Sequence, residues 1–268
     1  METPETREPV LLAETSDGVR TLTLNRPAKK NALSGELTQA IIEAFSAAAD
    51  DDDVRVVGLT GAGDAFCAGA DLAPRKPGAS DSKRHRITAD DVVQLVTGIR
   101  FECEKPVVAG INGLAIGGGL ALAMCADIRM ASATARFHPG YARAGSSPDA
   151  GLSWTLPQAV GHERAMRFLL EPKMNDAEAA LRLGIVGEVA PADDFPATFR
   201  AYCRKIAEVA PRASKQTKRL VSRAGVLTEL ESHLREEIEL ARHALKSEDG
   251  REAVKAIFEK RKPRFTGR

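Results

Sequence analysis

The stretch VVAGINGLAIGGGLALAMCA, residues 107–126, decides the fold. It runs for twenty residues without a charge, which meets the length rule for a membrane span. Yet it contains Asn112 and five glycines, and β-branched residues crowd its front. A buried strand over Pro106–Ile111, a glycine turn at 117–119 and a buried helix to Cys125 account for it better. Backbone N–H groups at such a helix start lack helical partners and stand at the positive end of the dipole. They suit an anion or a developing oxyanion. A dinucleotide fingerprint fits poorly: Gly117 and Gly119 match G-x-G-x-x-G/A, but Leu122 takes the third place. No acidic residue stands about twenty positions beyond, where a ribose partner belongs. Close helix–strand packing is the other reading of these glycines.

Outward from this stretch, strands and helices alternate. Val10–Glu14 and Val19–Leu24 read as short strands around the hairpin signal Asp17-Gly18. Ser34 caps a helix with the apolar stripe Leu37, Ala40, Ile41, Ala44, Phe45 and Ala48. The acidic run Asp50–Asp53 ends it, and Val54–Thr60 reads as a buried strand. The small-residue loop GAGDAFCAGADL (61–72) follows. There Ala68, Gly69 and Ala70 let the backbone approach a ligand, and Asp71 can cap a succeeding turn or helix; a tight turn explains the same residues. Residues 74–86 are polar and basic, a surface segment. A helix to about Glu102 precedes the central strand, and another strand begins near Ile128. This alternation predicts an α/β chain with largely parallel pairing. Beyond Trp154 the pattern turns helical. Asn175 with Glu178, and Thr228 with Glu231, have capping-box spacing. The stripe Leu230, Leu234, Ile238, Ala241 and Leu245 must pack on the chain's own body or on a neighbouring subunit.

At 268 residues, with 43% apolar and 28% charged residues, the chain can bury a full core and is neither disordered nor fibrous. Aromatics are only 4%, so the core must be aliphatic and glycine-rich. The net charge of +1 hides an acidic front and a basic tail, residues 200–268 carrying 18 basic and 10 acidic side chains. Interleaved glutamates make that tail a solvated helical face as readily as a phosphate-binding one. Cys67, Cys103, Cys125 and Cys203 have neither zinc-ligand nor redox spacing, so reduced thiols and a cytoplasmic location are expected. METPETREP at the start is polar, with no apolar stretch like a secretion signal. His138, His162, His233 and His243 have no metal spacing, and no G-x-S-x-G elbow surrounds Ser146 and Ser147.

Four motifs carry a resemblance: NRPAKKNAL (25–33), AFCAGADL (65–72), INGLAIGGGLALAMCADI (111–128) and FEKRKPRFTG (258–267). In this order and at these separations the chain resembles the crotonase, or enoyl-CoA hydratase/isomerase, superfamily from about residue 10 to 267. The resemblance implies a crotonase-like spiral of ββα units over 1–200, holding a CoA site, and a helical trimerisation region over 201–268. It also implies a homotrimer or a homohexamer of two trimers, acting on an acyl-CoA. Coenzyme A would enter as part of the substrate, with no separate cofactor, no metal and no membrane or nucleic-acid partner. Two backbone N–H groups, by motif position those of Ala70 and Gly118, would hold the thioester carbonyl. Ala68, Asp71 and Leu72 share the first of these loops. Lys29 and Lys30 fall where the chain would pass the CoA moiety, and Lys260 matches a tail lysine near the phosphates of a neighbouring subunit's CoA.

The two glutamates of the hydratases correspond here to Ala121 and Tyr141, neither of which can act as a carboxylate. What remains is Asp149, in GSSPDAGLSWTLP (145–157). On its own it reads as a helix N-cap. This segment and the KRKPRFTGR tail (260–268) resemble the phenylacetate-pathway ring-epoxide and enoyl-CoA isomerases, which imply a catalytic Asp at this position. Phe137, Leu152 and Trp154 nearby offer an apolar wall that would raise its pKa. Tyr141 lines the acyl pocket, hydrogen-bonds the substrate or simply packs. Family members that dehalogenate aryl-CoA thioesters need a histidine near Gln94; His85 stands nine residues earlier. The expectation is therefore double-bond isomerisation with Asp149 as single acid/base. Hydration by other residues is the alternative, and a non-catalytic CoA- or RNA-binding relative is the rival of another class.

Overall fold

The computed structural model describes residues 8–72, 87–223, 230–261 and 263–264. The surface segment 74–86 with His85, the Thr228 cap, the final residues 265–268 and the side chains of His233, Ala241 and His243 lie outside the described residues.

Strands β1 (Leu11–Ser16) and β2 (Val19–Leu24) pair antiparallel around Asp17 and Gly18, both with positive φ, as the hairpin signal requires. Helix α1 (Gly35–Asp50) starts on Ser34, whose side chain accepts the Leu37 N–H, and buries Leu37, Ile41, Phe45 and Ala48. The motif of two strands and a helix then repeats. It gives β3 (Val56–Gly61), β4 (Ala65–Cys67) and α2 (Ala89–Thr97), the last running on as one wider turn to Glu102. Next come β5 (Val107–Ile111), β6 (Leu114–Ile116) and α3 (Gly118–Met124), then β7 (Ile128–Ser132), β8 (Arg136–His138) and α4 (Leu152–Val160).

Each of the three units after the first hairpin and helix gives its first strand to one sheet and its second to another, so the chain spirals. The large sheet has the order β1-β2-β3-β5-β7-β10, parallel from β2 onward, where β10 is Glu188–Ala190. The small sheet has the order β4-β6-β8-β9, with β9 (Asn175–Asp176) antiparallel at its edge. The uncharged stretch 107–126 thus lies at the centre of both sheets and in a helix buried along six of its seven residues. Among the described residues no helix is long and apolar enough to cross a membrane.

The later chain is not wholly helical, because β9 and β10 interrupt it. Helix α5 (His162–Leu170) is followed by α6 (Ala177–Leu183), capped by Asp176 and not by Asn175 as the spacing suggested. The Asp176 carboxylate accepts the Ala179 N–H, while Asn175 sits in β9. Residue 200 falls inside α7 (Phe195–Ala207), whose Phe195, Phe199 and Cys203 form a second core under the large sheet with Val56, Val108 and Met130. After α8 (Pro211–Arg223) come α9 (Leu230–Lys246) and α10 (Glu248–Phe258). The first half of the α9 stripe packs on the chain's own body: Leu230, Leu234 and Ile238 are buried, whereas Leu245 is exposed.

Two buried lysines, which no sequence pattern announced, fasten these layers. Lys105 donates to the carbonyls of Ala48 and Asp51 at the end of α1. Lys218 of α8 donates to the carbonyls of Ile99 and Lys105 and pairs with Asp127 at 3.0 Å.

Candidate active site

Strands β4, β6 and β8 run parallel side by side, and ligands of parallel sheets gather beyond the carboxyl ends of such strands. The segments leaving these ends carry the expected site residues.

From β4 the chain runs through Ala68 to Asp71. Leu33 pins this loop in a short bridge: its N–H donates to Gly69 O at 2.7 Å and its carbonyl accepts the Asp71 N–H at 2.9 Å. Ala70, between these bonds, is exposed. Gly69 has φ +92, and a Cβ there would stand 2.8 Å from the Ile116 carbonyl, so only glycine lets β4's exit lie so close to β6's. From β6 the chain turns through Gly117 into α3. A Cβ on Gly119 would meet the Cys67 carbonyl at 2.1 Å, which explains why that helix start must be bare. A Cβ on Gly118 would lie 3.9 Å from the Ala70 nitrogen. Among the described residues no backbone carbonyl takes the N–H of Ala70 or Gly118. Two backbone N–H groups from separate loops therefore lie near each other without a backbone carbonyl partner among the described residues, one of them at a helix N-terminus.

The third segment leaves β8 at His138. Its carbonyl accepts the Gly117 N–H at 3.2 Å, and its Nδ1 accepts the Gly140 N–H at 2.9 Å. Sequence spacing gave His138 no role; here it ties the Gly140–Tyr141 turn to the glycine turn. Burial holds its pKa below the usual histidine value, which keeps Nδ1 free to accept. Tyr141 is buried, and its hydroxyl donates to Asp149 Oδ1 at 2.8 Å. Asp149 does not cap a helix. Gly151 occupies the N-cap of α4 without a side-chain bond, and Asp149 contributes only its carbonyl, to Leu152 N at 3.0 Å. Ala150 and Gly151 both take positive φ to make the turn between them, a strained local path. Burial pushes the Asp149 carboxyl up, opposed by the Tyr141 hydrogen bond. Phe137 and Leu152 nearby are fully buried, and Trp154 is half-buried.

Other expected residues divide. The Asp71 carboxylate is held by Arg26 at 2.8 Å, and Arg26 also reaches the Ala32 carbonyl; the segment that Asp71 was expected to cap lies outside the described residues. Asn31, wholly buried with φ 55, donates to the carbonyls of Ala62 and Ala65 and accepts the Arg26 N–H. Arg26 and Asn31 thus shape the loop that carries Ala70, and the signal for them was the NRPAKKNAL motif itself. Lys30 is paired with Asp64 at 2.6 Å, both exposed. Lys29 and Lys260 are exposed, and Leu72 is exposed beside the Ala70 loop. Ala121 is fully buried, and Gln94 stands on α2 where a dehalogenase would need histidine. Among the described residues no cluster of His, Cys, Asp and Glu could hold a metal.

Comparison with known proteins agrees with this architecture. The sequence family described as enoyl-CoA hydratase/isomerase matches residues 14–268. A probable enoyl-CoA hydratase of Rhodobacter capsulatus is 35% identical over 95% of this chain and 97% of its own. The 1,2-epoxyphenylacetyl-CoA isomerase of Escherichia coli is 32% identical over 96% and 98%. The crystal structure of an enoyl-CoA hydratase from Mycobacterium avium subsp. paratuberculosis superposes with a TM-score of 0.85 at 33% identity, over 96% of this chain and 98% of that one. Agreement over the full length, in sequence and in the path of the spiral, makes this chain an enzyme of the enoyl-CoA hydratase/isomerase family, within the crotonase superfamily.

Proposed function

We propose that the chain isomerises the double bond of an enoyl-CoA, with Asp149 as its single acid/base. The supporting observation is the state of that carboxylate: desolvated, held by Tyr141 and not used as a helix cap. Ala121 and Tyr141, where paired glutamates would deliver water, hold no carboxylate, which counts against hydration.

In this reading the ionised Asp149 takes a proton from C2 of a 3-enoyl-CoA. The C–H electron pair moves into the C1–C2 bond and onto the thioester oxygen, giving a dienolate. The N–H groups of Ala70 and Gly118 stabilise that charge, each worth on the order of 3 kcal/mol. The same Asp149, now protonated, returns the proton to C4, and the 2-enoyl-CoA forms. One carboxylate suffices because nothing is added or lost.

Coenzyme A would run over Ala68 and Leu72, with Lys29 and Lys260 pairing its phosphates; Lys30, held by Asp64, is the weaker candidate. A homotrimer, or a homohexamer built from two trimers, is supported by apolar side chains left on the helical tail, Leu220 and Val221 each being 72% exposed. The four buried free cysteines fit a reducing, cytoplasmic setting.

The test compares wild type with Asp149→Asn on a 3-enoyl-CoA in deuterated buffer, tracking 2-enoyl-CoA formation and deuterium entry into the chain. Loss of both with CoA binding kept is the expected result. Equal turnover in the two proteins would overturn the role of Asp149, and hydration of a 2-enoyl-CoA by both would favour the hydratase reading.

A further inference from the structure

We infer that Tyr141 is a positioning residue: by donating its hydroxyl to Asp149 Oδ1 it fixes the plane of that carboxylate and leaves Oδ2 to handle the proton. This rests on the reading of Asp149 as acid/base.

The geometry is specific. The Tyr141 hydroxyl lies 2.8 Å from Oδ1, while Oδ2 makes no hydrogen bond among the described residues. The tyrosine is itself fixed on both sides. Its carbonyl accepts the N–H groups of Ala144 at 2.9 Å and Ser146 at 3.0 Å, and the preceding Gly140 is held by His138. The aspartate is less constrained, because Ala150 and Gly151 come after it in left-handed conformations and no cap bond uses its side chain. A two-bond side chain on such a turn needs an external partner to keep one rotamer, and the phenol supplies it.

The same bond keeps the base usable. Burial alone would favour the neutral acid, and the phenol works against it. Charges around the turn are engaged elsewhere or distant in effect. Helices α3 and α4 carry none. On α2, Asp91 is bonded to Thr88, and Asp90 lies 3.6 Å from Arg235 of α9. On α10, Glu252 is held by Arg261, and the backbone of Asp249 faces Gly145. Arg143 on the turn itself is exposed. Burial and Tyr141 are what act on the Asp149 carboxyl.

The experiment monitors the Asp149 carboxyl directly, by NMR of protein labelled with ¹³C-aspartate, with Asp149→Asn assigning its resonance. In parallel, kcat and KM for 3-hexenoyl-CoA are measured against pH. Removing the donor with Tyr141→Phe is expected to move the titration, and the acid limb of kcat, upward by about one pH unit. It should lower kcat about tenfold with KM little changed. If Tyr141→Phe does not fold, 3-fluorotyrosine serves instead. The chain has only two tyrosines, so a Tyr202→Phe background places the label at Tyr141 alone. The more acidic phenol should move the titration downward. An Asp149 titration that stays in place under either change overturns the inference. A titration that moves while Asp149→Asn keeps full turnover overturns instead the acid/base reading beneath it.

Discussion

A Cβ on Gly118 would stand 3.9 Å from the backbone nitrogen of Ala70 and 3.4 Å from Leu33 Cδ1, in ordinary contact with both. A methyl group therefore fits beside the two candidate donors without a clash. Gly118→Ala should fold, with stability unchanged or raised by up to about 1 kcal/mol because alanine is the better helix former. On the proposed role of the Ala70 and Gly118 N–H groups its kcat/KM should fall about a hundredfold, because the added methyl would crowd the thioester oxygen they are proposed to hold. Gly119→Ala is the contrast: its Cβ would meet the Cys67 carbonyl at 2.1 Å, so folded protein should be lost. Thermal melts beside turnover separate the two outcomes.

Asp149→Asn should stabilise the protein at neutral pH. Burial raises the folded-state pKa of this carboxyl above its ordinary 3.8, so the native state binds the proton more tightly than the unfolded chain. That contribution is full below the unfolded pKa and is lost as pH rises through the folded one. Above that point the ionised carboxylate destabilises the fold, and the neutral amide does not. Melts at pH 8 should show Tm higher by roughly 2–4 °C in the variant, a gain that vanishes near pH 4. A lower Tm at pH 8 would contradict the desolvated carboxylate.

Arg26 should matter to turnover without meeting substrate. Its guanidinium spans Asp71 and the Ala32 carbonyl, on either side of the bridge that presents Ala70. Arg26→Ala is expected to cost about 1–3 kcal/mol in a denaturant titration and about tenfold in kcat/KM. Arg26→Lys should recover only part of both, because an ammonium cannot reproduce the planar fork.

Lys218→Met should cost about 3 kcal/mol in denaturant unfolding. It would leave the Asp127 carboxylate and the carbonyls of Ile99 and Lys105 without their shared partner, and α8 would lose its tie to the sheet.

Thiol reagents should label none of the four cysteines in the native protein at pH 8 and all four after unfolding. All are buried, and burial pushes the thiols of Cys67 and Cys203 up to about 12, far from the reactive thiolate.

The amino-acid sequence alone determined the local pieces. The Asp17-Gly18 hairpin, the Ser34 cap, the α1 stripe and the strand–glycine–helix reading of 107–126 all stand in the structure. Each rests on residues a turn or two apart, where φ/ψ preference and apolar period act directly. The choice of Ala70 and Gly118 as candidate donors came from the resemblance to the family, by motif position, and from no local pattern. Only the tertiary structure decided what those pieces do together. Asp176 caps α6 in place of Asn175 because β9, whose Asn175 and Asp176 both pair with β8, runs up to the helix start at Ala177. Lys105 and Lys218 are buried because helix ends and strand starts bring free carbonyls to them. Asp149 looked like a cap in one dimension and became a desolvated carboxylate once β8's exit placed Tyr141 against it. Burial, pairing and pKa depend on which strands lie side by side. That register is set by contacts between distant segments, which no local pattern contains.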